Sequence, residues 1–217
     1  MDTPLPPPPS IETERLVVRV VQEGDVPSLL AINGDDAVTR YVPYESWQSL
    51  ADGEEWFERM NGLNEAGSAL QLVIALKTSK IVIGACLLFR YEEANGTAEM
   101  GYVLGRSHWG NGYMTEALSA LITYGFDVVG HRRLEAHIDS RNAASEQVVA
   151  RLGFTQEGRL RQRWIAKGEL TDCVIYGLLR DEWLDRQETR STEKSEFETI
   201  TPEALVQNQL DAYNAHD

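Results

Sequence analysis

The sequence predicts an α/β fold: a sheet of mixed strand direction with helices on its faces. Three observations predict it. Period-two apolar runs recur, as in residues 133–140, where Leu134, Ala136 and Ile138 alternate with Glu135, His137 and Asp139. Runs of helical periodicity lie between them. The turn Trp109-Gly110-Asn111-Gly112 joins a strand directly to a helix.

The elements follow in chain order. Residues 15–21 form a short β-branched strand. Gly24-Asp25 opens a helix with Asp25 as its N-cap and Val26, Leu29, Leu30 and Ile32 as its apolar residues. Residues 34–44 read as a loop, and a second helix spans 49–64 with Trp56, Phe57 and Met60 on one side. Strands at 70–77 and 81–91 are joined by the polar turn Thr78-Ser79-Lys80, and Asn95-Gly96 marks the next hairpin. Strand 98–104 delivers the glycine turn, after which a helix runs over 115–129. Beyond strand 133–140, Asn142 caps a short helix that ends at the left-handed C-cap Gly153. Residues 154–165 and 171–180 make a final strand pair turning at Lys167-Gly168-Glu169.

The ends read differently. Residues 1–12 are a proline-rich, mobile leader without the basic and apolar regions of a secretory signal. Residues 13–183 form the main domain, and 184–201 a charged linker. Residues 202–217 regain helical periodicity through Leu205, Val206, Leu210 and Tyr213, in a helix too short to bury a core alone. The stretch 206–217 resembles the opening helix of a nuclear-transport-factor-2-like domain.

A net charge of −14 argues against nucleic-acid phosphates as partners and favours encounter with a cationic one, such as an amine. No apolar run has the length of a membrane span, so a cytoplasmic protein is expected. Cys86 and Cys173 read as reduced, buried small hydrophobes. The four histidines, His108, His131, His137 and His216, lack zinc-type spacing, and no metal site is expected.

The chemistry is concentrated at the glycine turn. Two glycines let the backbone approach a ligand, and the N–H groups of the new helix favour an anion. This is the physics of a pyrophosphate cradle. The turn has neither the Lys of a Walker loop nor the third Gly of a dinucleotide fingerprint.

In its order of elements and motifs, the chain resembles the RimJ/RimL branch of the GCN5-related N-acetyltransferases (GNAT family) from about residue 13 to 183. The marks are Thr13-Glu14-Arg15-Leu16, Ala98-Glu99-Met100-Gly101-Tyr102, the stretch 109–117, Asn142-Ala143-Ala144-Ser145, Leu152-Gly153-Phe154, and Tyr176. The resemblance implies a mostly antiparallel sheet of about seven strands, splayed at the cofactor strand. It implies acetyl-CoA as acyl donor, without a metal, and direct attack on its thioester by a primary amine, either a protein N-terminus or a small-molecule amine. Tyr102, Val103 and Leu104 would pair with the pantetheine arm. Trp109, Gly110, Asn111, Gly112, Tyr113, Met114 and Thr115 would hold the pyrophosphate, and Asn142 would contact pantetheine as well as, or instead of, capping its helix.

For catalysis the resemblance offers Glu99 as base, the alternative being a solvent-facing member of an alternating strand. Ser145 is the acid candidate, against a helix-start hydrogen bond as its alternative. Tyr176 joins them as a catalytic candidate. Val149 stands where the general family often has an acidic Tyr, and Trp164 where RimL-type sequences have a functional Glu. Tyr41, Trp47 and Trp164 are candidates for the acceptor pocket, with Tyr44 and Trp56 near them. A non-catalytic acyl-CoA-binding module is the alternative function, and assembly as a homodimer stays open.

Overall fold

The computed structural model of the chain describes residues 5–8 and 10–199. Eight strands form one sheet in the order β1-β2-β3-β4-β5-β6-β8-β7. They are β1 (Ile11–Glu12), β2 (Leu16–Val20), β3 (Leu70–Leu76), β4 (Val82–Glu92), β5 (Thr97–Leu104), β6 (Arg133–Asp139), β7 (Thr155–Ala166) and β8 (Glu169–Leu179). The helices are α1 (Val26–Asn33), α2 (Asp36–Thr39), α3 (Leu50–Glu65), α4 (Tyr113–Tyr124), α5 (Ala143–Leu152) and α6 (Arg180–Thr199). A π-helical turn, Gly125–Val129, extends α4 to the predicted end.

The sheet is antiparallel except where β5 and β6 run parallel, joined through α4. Those two strands pair only at Thr97–Arg133, Ala98–Leu134 and Glu99–Glu135. Residues 100–104 of β5 pair with β4 but have no partner in β6, so the sheet is splayed there. The strand count is one above the expected seven because two residues, Ile11 and Glu12, add an edge strand to β2.

β3 (LQLVIAL) is apolar apart from Gln71 and buried over Leu70–Ala75, as a central strand covered on both faces requires; Gln71 Nε2 is satisfied by the Leu72 and Cys86 carbonyls. On one face Val73, Ala75 and Ala85 pack with Leu29 and Ile32 of α1 and with Trp47, and Val103 lies against that cluster. The neighbouring Tyr102 instead bonds to Ser145 of α5. Successive strand residues point to opposite faces, so α1 and α5 lie on opposite sides of the sheet. On the second side Leu118, Leu121 and Ile122 of α4 are fully buried.

Four expectations change. The leader is tied down at residues 5 and 6: Leu5 is 3% exposed, its N–H donates to the Gly67 carbonyl at 2.9 Å, and Tyr124 donates its hydroxyl to the Pro6 carbonyl. The predicted loop 34–44 contains the short helix α2, capped by the Asp35 carboxylate on the Ala37 N–H. Trp47 belongs to the core, tilted against Trp56 at 5.4 Å, and not to an acceptor pocket. The charged stretch expected as a linker is helical to Thr199, because Glu, Arg, Lys and Gln are good helix formers and no Gly or Pro interrupts them. The chain divides at this point into two compact units, residues 1–180 and 181–217. The helix predicted at 202–217, with its resemblance to an NTF2-like domain, lies outside the described residues.

Cys86 and Cys173 are free and buried, as expected. No helix among the described residues is long and apolar enough to cross a membrane.

His131 precedes β6 and is 1% exposed, with neither ring nitrogen hydrogen-bonded among the described residues. Burial lowers its pKa from 6.5 to about 4. The unfolded chain therefore binds a proton at higher pH than the folded one does. His131's contribution to stability is complete above 6.5 and falls away as pH drops towards 4, by up to ~1.4 kcal/mol per pH unit. Urea denaturation at pH 7 and pH 5 should show a smaller loss for His131→Leu than for the wild type.

Candidate active site

The glycine turn is built for close approach. Gly110 and Gly112 have φ of +75° and +76°, the left-handed region where a side chain is strained, and Gly112 caps α4. A Cβ on Gly110 would meet no atom within 4 Å, so space is open beside it. The first backbone bond into α4 runs from the Glu116 N–H to the Gly112 carbonyl at 3.0 Å. The amides from Gly110 to Thr115 lie ahead of that bond, where a helix start offers them to an anion.

The loop is fastened from behind. Asn111 Nδ2 donates to the carbonyls of Trp109 and His108 at 3.0 and 3.3 Å, and Trp109 Nε1 donates to the Leu104 carbonyl at 2.7 Å. Arg15 Nη1 donates to the Asn111 carbonyl at 3.0 Å, and its guanidinium lies 4.5 Å from the Tyr113 ring centroid. Glu116, in the first turn of α4, accepts from the Arg15 N–H at 2.8 Å, from Arg15 Nε at 2.7 Å, and from the Thr13 hydroxyl. Burial alone would raise the Glu116 pKa, but these bonds outweigh it and hold the carboxyl below its usual 4.5. The motif Thr13-Glu14-Arg15-Leu16 is thereby explained: it anchors the glycine loop from 101 residues away.

A cavity of about 460 Å³ opens between α2, the end of β5, the glycine loop and α5. Of the residues expected to hold the cofactor, Tyr102, Val103, Leu104, Trp109, Gly110, Gly112, Tyr113, Met114, Thr115 and Asn142 line it. Asn111 does not; its side chain folds back on the loop. Tyr41 and Ser145 also line the cavity, while Glu99, Tyr176 and Trp164 do not. Trp164 sits half-buried on β7, paired with Thr171 in the terminal hairpin. Ala37 and Val38 of α2 and His108, Gln147, Val148 and Arg151 are lining residues that sequence reasoning missed.

Asn142 performs its cap: Oδ1 accepts the Ser145 N–H at 3.1 Å. Its Nδ2 donates to no protein atom among the described residues, so one side chain has a donor left for a ligand. Ser145 Oγ and the Tyr102 hydroxyl are 2.6 Å apart, and burial pushes the Tyr102 phenol up to about 12, which keeps it protonated. Tyr176 faces the same side, its hydroxyl 3.5 Å from Gln156 Oε1.

Glu99 is on the opposite face and is not solvent-facing: it is 8% exposed. Arg90 Nη1 donates to its Oε2 at 2.6 Å, and His137 Nδ1 lies 3.3 Å from the same oxygen. Arg90 reaches it from a bulge in β4, where its own φ is +48°. No local sequence pattern pairs Arg90 or His137 with Glu99. The signal for His137 was the period-two pattern of β6, which puts it on the face of Glu135. Among the described residues no cluster of His, Cys, Asp or Glu has the make-up of a metal site.

The family model described as an acetyltransferase (GNAT) domain matches residues 15–155. The chain belongs to the GCN5-related N-acetyltransferase family. An uncharacterized N-acetyltransferase, p20, of Bacillus licheniformis is 34% identical over 174 residues, covering 80% of this chain and 98% of that one. The [ribosomal protein uS5]-alanine N-acetyltransferase of Escherichia coli K12 is 28% identical over 182 residues, covering 80% and 92%. Among solved structures, spermidine N-acetyltransferase from Vibrio cholerae in complex with CoA and spermine superposes with a TM-score of 0.70 at 20% identity, covering 79% and 99%. The GNAT enzyme described here is thus an N-acetyltransferase that uses acetyl-CoA. Its residues fit that donor: the left-handed glycines, the uncommitted amides and the unpaired length of β5 all border one cavity.

Glu116→Gln should lower stability at pH 7 by about 1–2 kcal/mol, since it removes partly exposed charge-assisted bonds, and should weaken acetyl-CoA binding several-fold. The Glu116 contribution is complete above pH 4.5 and is lost as pH falls through its lowered pKa, so the variant should lose less stability on acidification below 4.5. Denaturation curves and calorimetric titration with acetyl-CoA check both.

Proposed function

We propose that this GNAT enzyme acetylates a primary amine by direct attack, with Glu99 taking the amine proton and Ser145 serving the departing sulfur. The observation that carries the reading is the placement of a buried carboxylate and a hydroxyl pair on the two faces of the same splayed strands. Bound along β5, acetyl-CoA supplies the activated acetyl group. The backbone of Tyr102 to Leu104 would hold the pantetheine arm, with Asn142 Nδ2 as a further donor. The amides of Gly110 to Thr115 would hold the pyrophosphate. The Leu104 carbonyl already accepts from Trp109, so Trp109 sets the register of that segment.

The amine must be neutral to attack, and a base lets it be so below its own pKa, about 8 for an α-amino group and about 10.4 for lysine. Arg90 keeps Glu99 in place for this role. Val149, at the position of the missing family Tyr, is fully buried. The Ser145–Tyr102 hydroxyl pair supplies in the cavity what that position cannot. Tyr41, with the Arg40 and Arg141 guanidinia 5.3 and 5.7 Å from its ring centroid, forms the acceptor side with Val38 and Val42. Trp164 has no place in this pocket. The relatives act on a ribosomal protein and on spermidine, so both acceptor classes are to be tested. Two free, buried thiols suit a reducing compartment, and we assign the enzyme to the cytoplasm.

Labelled acetyl-CoA with a panel of peptides bearing free N-termini, lysine and polyamines should yield acetylated product on at least one amine. Glu99→Gln should lower kcat on the order of 10²-fold or more, and Ser145→Ala about tenfold, since Tyr102 still donates. Acetyl-CoA affinity should stay within twofold in both. Unchanged turnover in both variants would remove the catalytic assignment.

A further inference from the structure

Glu99 is the second link in a chain of alternating charge that crosses the sheet from Arg90 to Glu157. Arg90 on β4 donates to Glu99 on β5 at 2.6 Å, and the same Glu99 oxygen lies 3.3 Å from His137 Nδ1 on β6. His137 Nε2 is 3.2 Å from Glu135 Oε2. Arg133 Nε donates to Glu135 Oε1 at 2.8 Å, and its two terminal nitrogens donate to Glu157 on β7 at 2.7 and 2.5 Å. The sheet is shaped to admit this chain. Gly177 of β8 lies between β6 and β7, and a Cβ there would stand 2.5 Å from both Arg133 Nη1 and Glu157 Oε1. Arg90 is held in a left-handed conformation, which a non-glycine residue adopts only under structural constraint.

We propose that His137 is a proton relay for the acceptor side: the proton that Glu99 takes from the amine passes to His137 Nδ1, and the Nε2 proton passes to Glu135 and then to solvent. The inference rests on the reading of Glu99 as base. In the neutral ring that holds its proton on Nε2, 3.2 Å from Glu135, the bare Nδ1 at 3.3 Å is placed to accept the proton that Glu99 has taken up. Once that proton has reached His137, three cations (Arg90, His137, Arg133) alternate with three carboxylates (Glu99, Glu135, Glu157) and the chain is neutral, until Nε2 passes its proton on and exchange with solvent restores the Nε2–H ring. Exposure sets the direction. The side chains of Glu99, His137 and Glu135 are 10%, 18% and 31% exposed, so each transfer moves the proton nearer to water. No bond but N–H and O–H forms or breaks, and the amine that loses one proton is free to attack.

The groups facing His137 are accounted for on each neighbouring strand. Arg90 comes from β4, Glu99 from β5, Glu135 and Asp139 from its own strand, and Glu157 from β7 through Arg133. Asp139 is committed to Arg141, which donates to it from Nε and Nη2 at 2.9 Å each. From β8, Cys173 stays neutral, because burial and then the Glu99 charge push its thiol up to about 11. His137 acts through Glu99 and is a positioning residue in this scheme.

The first test needs no substrate. In full-length protein with ¹⁵N-labelled imidazoles, the titration midpoint of His137 should fall in Glu99→Gln, which removes an anion beside Nδ1. It should rise in Arg90→Gln, which removes the competing cation. Midpoints unmoved in both variants would overturn the relay. The second test uses the panel amine with the highest turnover. His137→Gln should lower kcat about tenfold and move the acidic limb of its pH profile down by about a unit, with acetyl-CoA affinity within twofold. A His137→Gln profile that superimposes on the wild type, while Glu99→Gln abolishes turnover, would overturn the relay alone. Full turnover in Glu99→Gln would overturn the base assignment and the relay together.

Discussion

Everything at the active site depends on the point where β5 and β6 stop pairing. A parallel pair that continued to Leu104 would spend the backbone groups of residues 100–104 on sheet hydrogen bonds and leave no gap for a ligand. By ending at Glu99–Glu135, the pairing keeps those groups available, whereas buried backbone polar groups in folded proteins ordinarily find partners. The same divergence sets the surroundings of Glu99. It is the last residue of β5 held against β6, buried by the paired part of the sheet and next to the open part.

The glycine loop is a separate construction, held by a carboxylate that faces away from the cavity chemistry. Glu116 reads two backbone-proximal groups of the first strand region, Thr13 and Arg15, and Arg15 in turn holds the loop carbonyl at Asn111. A loop of left-handed glycines carries a large conformational entropy when free. The clamp removes that freedom before a ligand arrives, so less of the binding energy is spent on ordering the loop.

What sequence revealed is what local chemistry determines. Two glycines between a strand and a helix require positive φ, and Asn142 and Gly153 terminate α5 by bonds made within a few residues; these read directly. What sequence concealed is non-local. Trp47 and Tyr41 are both aromatics in a polar stretch, and only the packing of α1 and α3 sends Trp47 into the core. Arg90 meets Glu99 because of a bulge, and His137 meets it because two strands separated by a helix run parallel. The leader is anchored through Gly67 and Tyr124, far away in sequence, and no feature of a proline-rich run announces that. Residues 184–199 looked like a linker because they are polar on every side, yet polar residues of high helix propensity form a helix without an apolar face.

The sheet itself acts as an insulator. Glu99, His137 and Glu135 project from one face, while Tyr102 and Tyr176 project from the other, where Ser145 of α5 meets Tyr102. In the proposed reaction one proton departs on the first side and another is delivered on the second, with a layer of paired backbone between them. The two circuits share no side chain. Each can therefore be retuned by substitution without disturbing the other: a changed acceptor basicity can be met on the histidine side while the leaving-group chemistry stays as it is.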